Sequence, residues 1–189
     1  MTKKRQRTSK AEWFSAALDV LERDGIGGVR IDVLAKLLGT SRSGFYWHFK
    51  DRGALLDELL DYWAHEFTEV IAENRELLAA EPRNAIEATA AMVFEHDLAR
   101  YVLAFLAWAR QDDAVAQRVR GVVDVRLDFL RRNFKALGFR GDDLEMRTRL
   151  FVCYQSWERA TFVGESDRKL KKLMAPRMRL LMGPEESAK

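Results

Sequence analysis

Between residues 40 and 52 the chain gathers side chains suited to a polyanionic partner: Thr40, Ser41, Arg42, Ser43, Gly44, Tyr46, Trp47, His48, Lys50 and Arg52. Small or extended polar residues come first, and a helix with such residues at its N-terminal end can approach base edges closely. Arg42 is the residue for direct readout. Its fork matches guanine O6 and N7 and discriminates by roughly 1–3 kcal/mol against a wrong base. The same side chain would also suit a phosphate. Tyr46, His48, Lys50 and Arg52 fit phosphate oxygens, contacts that position a protein without reading sequence. A buried ring is the other reading of Tyr46. Trp47 points outward at its helical spacing, where it would stack on sugar or touch a thymine methyl. Phe45 and Phe49 are purely apolar and fit the core. No second ligand lies near His48, so no metal site is expected, and no cofactor.

These residues need a scaffold. Ser9 and Glu12 have the spacing of a capping box, and Trp13, Phe14, Ala17, Leu18 and Leu21 follow at helical spacing, so a helix is predicted over 10–24. Gly25 suits its end, and Gly27-Gly28 breaks the chain. A second helix is predicted over 31–38, ended by Gly39, and a third over 42–48, capped by Ser41. Two short helices about a small Gly-containing turn have the dimensions of a helix-turn-helix. Asp51 caps a long fourth helix whose apolar stripe runs from Leu55 to Ile71. Further helices are predicted over 84–96, 98–110, 113–137, 142–164 and 167–182. No alternating β-branched run appears, so the fold class is all-α: an N-terminal three-helix helix-turn-helix domain (1–52), then a helical domain (53–189) for ligand binding and dimerisation.

Charge supports this division. Residues 1–52 hold 11 Lys/Arg against 6 Asp/Glu, a net of +5, and residues 53–189 hold 21 against 23, a net of −2. A basic N-terminal quarter suits a phosphate-binding module, or is a solvated surface that happens to be basic. Lys3, Lys4, Arg5 and Arg7 form an arm that would enter a minor groove or remain a solubilising tail. The N-terminus lacks the apolar region of a signal peptide. No apolar stretch approaches the ~18 residues of a membrane span. With the single Cys153 excluding a disulfide framework, a cytoplasmic location without membrane contact is expected. Cys153 itself reads as an inert core thiol.

The stretch Leu34-Ala35-Lys36-Leu37-Leu38-Gly39-Thr40-Ser41-Arg42-Ser43-Gly44-Phe45-Tyr46-Trp47-His48-Phe49, continued by Lys50-Asp51-Arg52-Gly53-Ala54-Leu55-Leu56, resembles the N-terminal domain of TetR-family transcriptional regulators. The resemblance rests on Ala-x-x-x-Gly, a small-residue turn, an aromatic pair ending in x-His-Phe, and a basic residue before Leu-Leu. Two departures stand out. Arg30 occupies the place where the family often has Thr, and Arg is a poor cap, which Asp32 partly offsets through the helix dipole. The family's common Gly-Thr/Ser order appears here as Ser43-Gly44.

The resemblance implies a dimeric, sequence-specific regulator, a repressor, on double-stranded DNA. It supports Tyr46 and His48 as backbone contacts. A homodimer would read a near-palindromic operator with recognition helices ~34–36 Å apart or a multiple of that. In the family the last two helices of each subunit form a four-helix bundle, which assigns Leu150, Tyr154, Phe162, Leu170, Leu173, Met174 and Leu181 to the dimer interface. The alternative is burial within the subunit. A small-molecule effector would sit among Met92, His96, Tyr101, Phe105, Trp108, Phe129, Gln155 and Trp157, and would tilt the fourth helix. Most aromatics of this half suit plain core packing as well. No Ser/His/acid set, Gly-rich phosphate loop or metal-ligand spacing points to an enzyme.

Overall fold

Helix α1 (Lys10–Asp24) starts where the capping box predicts it. The Ser9 hydroxyl accepts from the Glu12 backbone N–H at 3.3 Å, and the Glu12 carboxylate accepts from the Ser9 backbone N–H at 2.6 Å. These bonds favour the charged form and hold the Glu12 carboxyl below its ordinary value. The computed structural model describes residues 8–183; the basic run Lys3, Lys4, Arg5, Arg7 and the segment 184–189 lie outside the described residues.

A 3-10 turn, Ile26–Gly28, leads to α2 (Ile31–Leu37), α3 (Arg42–Phe45) and α4 (Arg52–Ala64). Gly28 lies so close to α1 that a Cβ there would meet the Asp24 Cβ at 2.4 Å. Arg30 makes no cap bond to α2; its guanidinium pairs with Asp32 at 2.7 Å and keeps the Asp32 carboxyl below its ordinary value. Asp51 caps α4, its side chain accepting from the Ala54 N–H at 2.9 Å.

The fourth helix is not continuous to Ile71 as its apolar stripe predicts. After Ala64 the chain passes through a π-helical segment, His65–Glu69, then α5 (Val70–Ala72) and α6 (Arg75–Ala79). A π turn changes which carbonyl accepts without interrupting the helical run, so the apolar pattern hides it. Asn74 starts α6: its side-chain oxygen accepts from the Glu76 and Leu77 N–H groups at 2.9 and 3.1 Å. The chain continues through α7 (Pro82–Glu95), α8 (Val102–Ala109), α9 (Asp113–Ala136), α10 (Gly141–Thr161) and α11 (Asp167–Met182). The described residues contain no strand, and the fold is all-α.

Two compact units emerge. One comprises the chain up to Glu66 together with Leu103–Val119. Trp13, Leu34, Phe45, Leu55, Leu59, Trp63 and Phe105 are buried in it, with Trp63 and Phe105 stacked at 4.1 Å between ring centroids. The other comprises Phe67–Val102 and the chain from Arg120 onward. Ile86, Phe129, Phe134, Leu144, Phe151 and Met178 form the centre of its core.

Candidate nucleic-acid interface

Helix α3 is anchored by rings on its inner face. Phe45 is fully buried and meets Trp13 edge-on at 5.4 Å; Phe49 lies 5.1 Å from Phe45 and 5.5 Å from Phe14. Such offset and edge-on pairs add roughly 0.5–1.5 kcal/mol each beyond burial. The predicted helix over 42–48 is α-helical only to Phe45, and residues 46–48 form a turn. There the His48 and Phe49 N–H groups both donate to the Phe45 carbonyl, at 2.9 and 3.1 Å.

The entry to α3 is set by Gly39. Its φ of 59° lies in the left-handed region that glycine enters without a Cβ clash. The turn closes with the Thr40 N–H donating to the Ala35 carbonyl at 2.9 Å. Ser41 occupies the cap position, but its hydroxyl does not cap the helix; it hydrogen-bonds the Ser43 hydroxyl at 2.7 Å. Gly44 sits tightly under this turn, where a Cβ would come within 3.0 Å of Thr40 Oγ1.

The outer face is open. Ser41, Arg42, Ser43 and Lys50 are exposed, as are Tyr46 (54%) and Trp47 (73%). Thr40 is half-buried. Among the described residues no carboxylate pairs with Arg42 or Lys50. The exposure of Tyr46 removes the buried-ring alternative.

Two residues expected at phosphates have other engagements. His48 is half-buried, and its Nε2 donates to the Thr8 carbonyl at 2.8 Å, fastening the turn to the segment before α1. Arg52 is half-buried too. Its Nε donates to the Val29 carbonyl and its Nη2 to the Ile26 carbonyl, both at 2.6 Å. These carbonyls belong to the loop between α1 and α2. A basic residue beside a recognition helix reads as a phosphate ligand in sequence; loop carbonyls brought near it by folding compete for the same donors.

The second unit holds two further features. A cavity of about 50 Å³ is lined by Phe67, Val93, Leu98, Phe129 and neighbours, with Thr68, Thr89 and Arg126 as its polar groups. Of the predicted effector-site residues, Phe129 lines this cavity. Phe105 and Trp108 are buried in the other unit, so the predicted set does not converge on one cavity. Tyr101 is buried against Phe67 at 5.4 Å, Met92 packs on the core, and Gln155 donates to the Ala90 carbonyl at 3.3 Å. His96 is exposed, and half of Trp157 is exposed. Helical spacing assigns a residue to a face but cannot say which neighbour that face meets. Arg126 and Thr68 were not among the predicted residues. The signal for Arg126 was present: it interrupts an apolar row with Val122, Phe129 and Leu130 at helical spacing.

The other feature is an apolar groove along α10 and α11, lined by Leu150, Tyr154, Trp157, Phe162, Leu173 and Leu180 among others. Beside it Val163 is 83% exposed, and Leu180 itself is 79% exposed. Of the residues predicted for a dimer interface, Leu150, Phe162 and Leu173 are exposed and Tyr154 is half-buried. Leu170 and Leu181 are buried within the subunit, and Met174 packs against its core. Cys153 is exposed in this groove and is not a core thiol. Near it, Arg177 and Glu158 form a buried ion pair at 3.1 Å, with the guanidinium 4.5 Å from the Tyr154 ring centroid. No described helix is long and apolar enough to cross a membrane.

Residues 14–59, which contain this interface up to Arg52, match the family described as bacterial regulatory proteins, tetR family. The chain is 44% identical over 46 residues to the class A tetracycline repressor protein from transposon 1721 of Escherichia coli, covering 24% of this chain and 21% of the relative. It is 32% identical over 98 residues to the class D tetracycline repressor protein of Escherichia coli, covering 50% of this chain and 42% of the relative. The matches thus span less than half the length of these curated relatives. The fold extends the likeness: the transcriptional regulator FadR from Bacillus subtilis, solved in complex with stearoyl-CoA, superposes with a TM-score of 0.69 at 17% identity, covering 94% of this chain and 100% of FadR. These relatives are regulators and not enzymes. Through its helix-turn-helix sequence, carried on a fold shared with such regulators, the chain belongs to the tetR family of bacterial regulatory proteins.

Proposed function

We propose that this chain is a DNA-binding transcriptional regulator that binds a near-palindromic operator as a homodimer and represses until a small-molecule effector releases it. The observation that carries this reading is the outer face of the helix-turn-helix. Arg42 and Lys50 project there beside Tyr46 and Trp47, while Phe45 and Phe49 hold the element to a rigid core. In this reading Arg42 reads a base edge, and Tyr46 and Lys50 bind phosphates. The 1–52 segment is the DNA-binding domain and 53–189 the effector and dimerisation domain.

The exposed apolar groove on α10 and α11 supports dimerisation, because a surface carrying Leu150, Trp157, Phe162, Val163 and Leu180 suits burial against a second copy. The cavity in the second unit supports effector binding over the alternative of an architectural DNA binder with a filled core. Repression and a cytoplasmic location are the roles consistent with the family.

The test is selection of bound DNA from a random pool with the full chain, followed by gel shifts at several salt concentrations. A two-fold-related consensus and steep salt dependence are expected. Equal retention of all sequences at moderate salt would remove the regulator reading.

A further inference from the structure

The cavity in the second unit has one cationic element in an otherwise hydrocarbon wall. Phe67, Val93, Leu98 and Phe129 are among the apolar groups, and Thr68, Thr89 and Arg126 supply the polarity. Both hydroxyls already serve the scaffold. Thr89 donates to the Ala85 carbonyl at 2.7 Å, and Thr68 accepts from Arg126 Nε at 2.9 Å. Arg126 Nη2 also donates to the Phe67 carbonyl at 3.3 Å. The guanidinium is thereby held in a set orientation at the cavity wall.

Burial lowers the pKa of Arg126 to about 10. The group stays protonated at neutral pH, so a positive charge is maintained against apolar surface. A charge removed from water is stabilised by an opposite charge brought into the same space. The planar fork of a guanidinium matches a carboxylate, which can accept two parallel bonds. A neutral guest would supply no such compensation, and a cationic one would be repelled. The volume limits the guest's body. At ~10–15 Å³ per water-sized centre, a cavity of about 50 Å³ takes roughly three to five heavy atoms as it stands.

We infer that this cavity is a binding site for a carboxylate with a short hydrocarbon body, its carboxylate paired with Arg126 and its chain lying among Val93, Leu98 and Phe129. This gives the proposed effector a chemical class, and it rests on the regulator reading only for its consequence at DNA.

The test uses the full chain at pH 7 without DNA, titrated calorimetrically with hexanoate, 1-hexanol and hexylamine. Hexanoate should bind about ten- to a hundredfold more tightly than the other two, the span of one or two hydrogen bonds to a charged group. Arg126→Met should remove that preference. Because Arg126 also anchors Phe67 and Thr68, a second variant, Val93→Phe, fills the cavity and leaves the guanidinium in place; it should weaken hexanoate to a similar degree. Equal affinity for hexanoate and 1-hexanol, no binding of hexanoate, or hexanoate binding unchanged in Val93→Phe would each overturn the inference. Gel shifts on the same preparations separate the two readings. Failure to retain DNA without ligand overturns the regulator reading and leaves the cavity assignment intact, whereas hexanoate binding with no effect on DNA retention overturns only its role as effector.

Discussion

Arg52 offers a sharp test, because sequence and structure assign it different work. From the first turn of α4 its guanidinium donates to the Val29 and Ile26 carbonyls, both at 2.6 Å. A hydrogen bond to a charged group contributes ~1.5–3 kcal/mol. Half-exposure of Arg52 discounts the pair to about 2–3 kcal/mol in total. Arg52→Met keeps much of the aliphatic stem and removes both donors, leaving the carbonyl of buried Val29 without its partner. Urea denaturation followed by tryptophan fluorescence should show that loss. DNA binding supplies the second reading. If Arg52 neutralised a phosphate, its removal would reduce the slope of log K against log salt by about 0.9 per contact. As a loop anchor it should leave the slope unchanged. A variant with wild-type stability and a reduced salt slope would refute the anchoring role and restore the phosphate contact.

The outer face makes further predictions. Arg42→Ala should relax preference at one operator position by roughly 1–3 kcal/mol, read by competition between operator variants, while Lys50→Ala should weaken all sequences alike. Gly44→Ala places a methyl group 3.0 Å from Thr40 Oγ1, so it should weaken operator binding in gel shifts with less than about 1 kcal/mol lost in denaturation. In the second unit, Arg177→Met strands the buried Glu158 carboxylate and should cost about 3–5 kcal/mol by denaturation, and Glu158→Gln in the same chain should recover part of that loss. Glu12 has a lowered pKa, so its contribution is present above its ordinary value of 4.5 and is lost as pH falls through the lowered value. Glu12→Gln should therefore show a shallower acid-side loss of thermal stability than the wild type.

What could be read from the chain followed from local chemistry. The Ser9–Glu12 capping box, the Asp51 cap and the turn at Gly39 depend on residues three to five positions apart, and the structure shows each where its pattern stands. The inward roles of Phe45 and Phe49 and the outward role of Trp47 followed from helical spacing. Spacing could not reveal partners distant in the chain. His48 meets the carbonyl of Thr8, and Arg52 meets those of Ile26 and Val29, because folding brings α1 and its following loop to them. The same limit separated Phe105 and Trp108 from Phe129, although all three carry apolar rings on helices. It also divided Leu181, which the subunit buries, from Leu180, which it leaves exposed. The sequence alone determined which element meets the solvent with Arg42 and Lys50 on it, since that depends on local periodicity and composition. Only the tertiary structure decided which of its polar neighbours remain available to a partner, because an exposed-looking donor is withdrawn as soon as a distant carbonyl comes within reach.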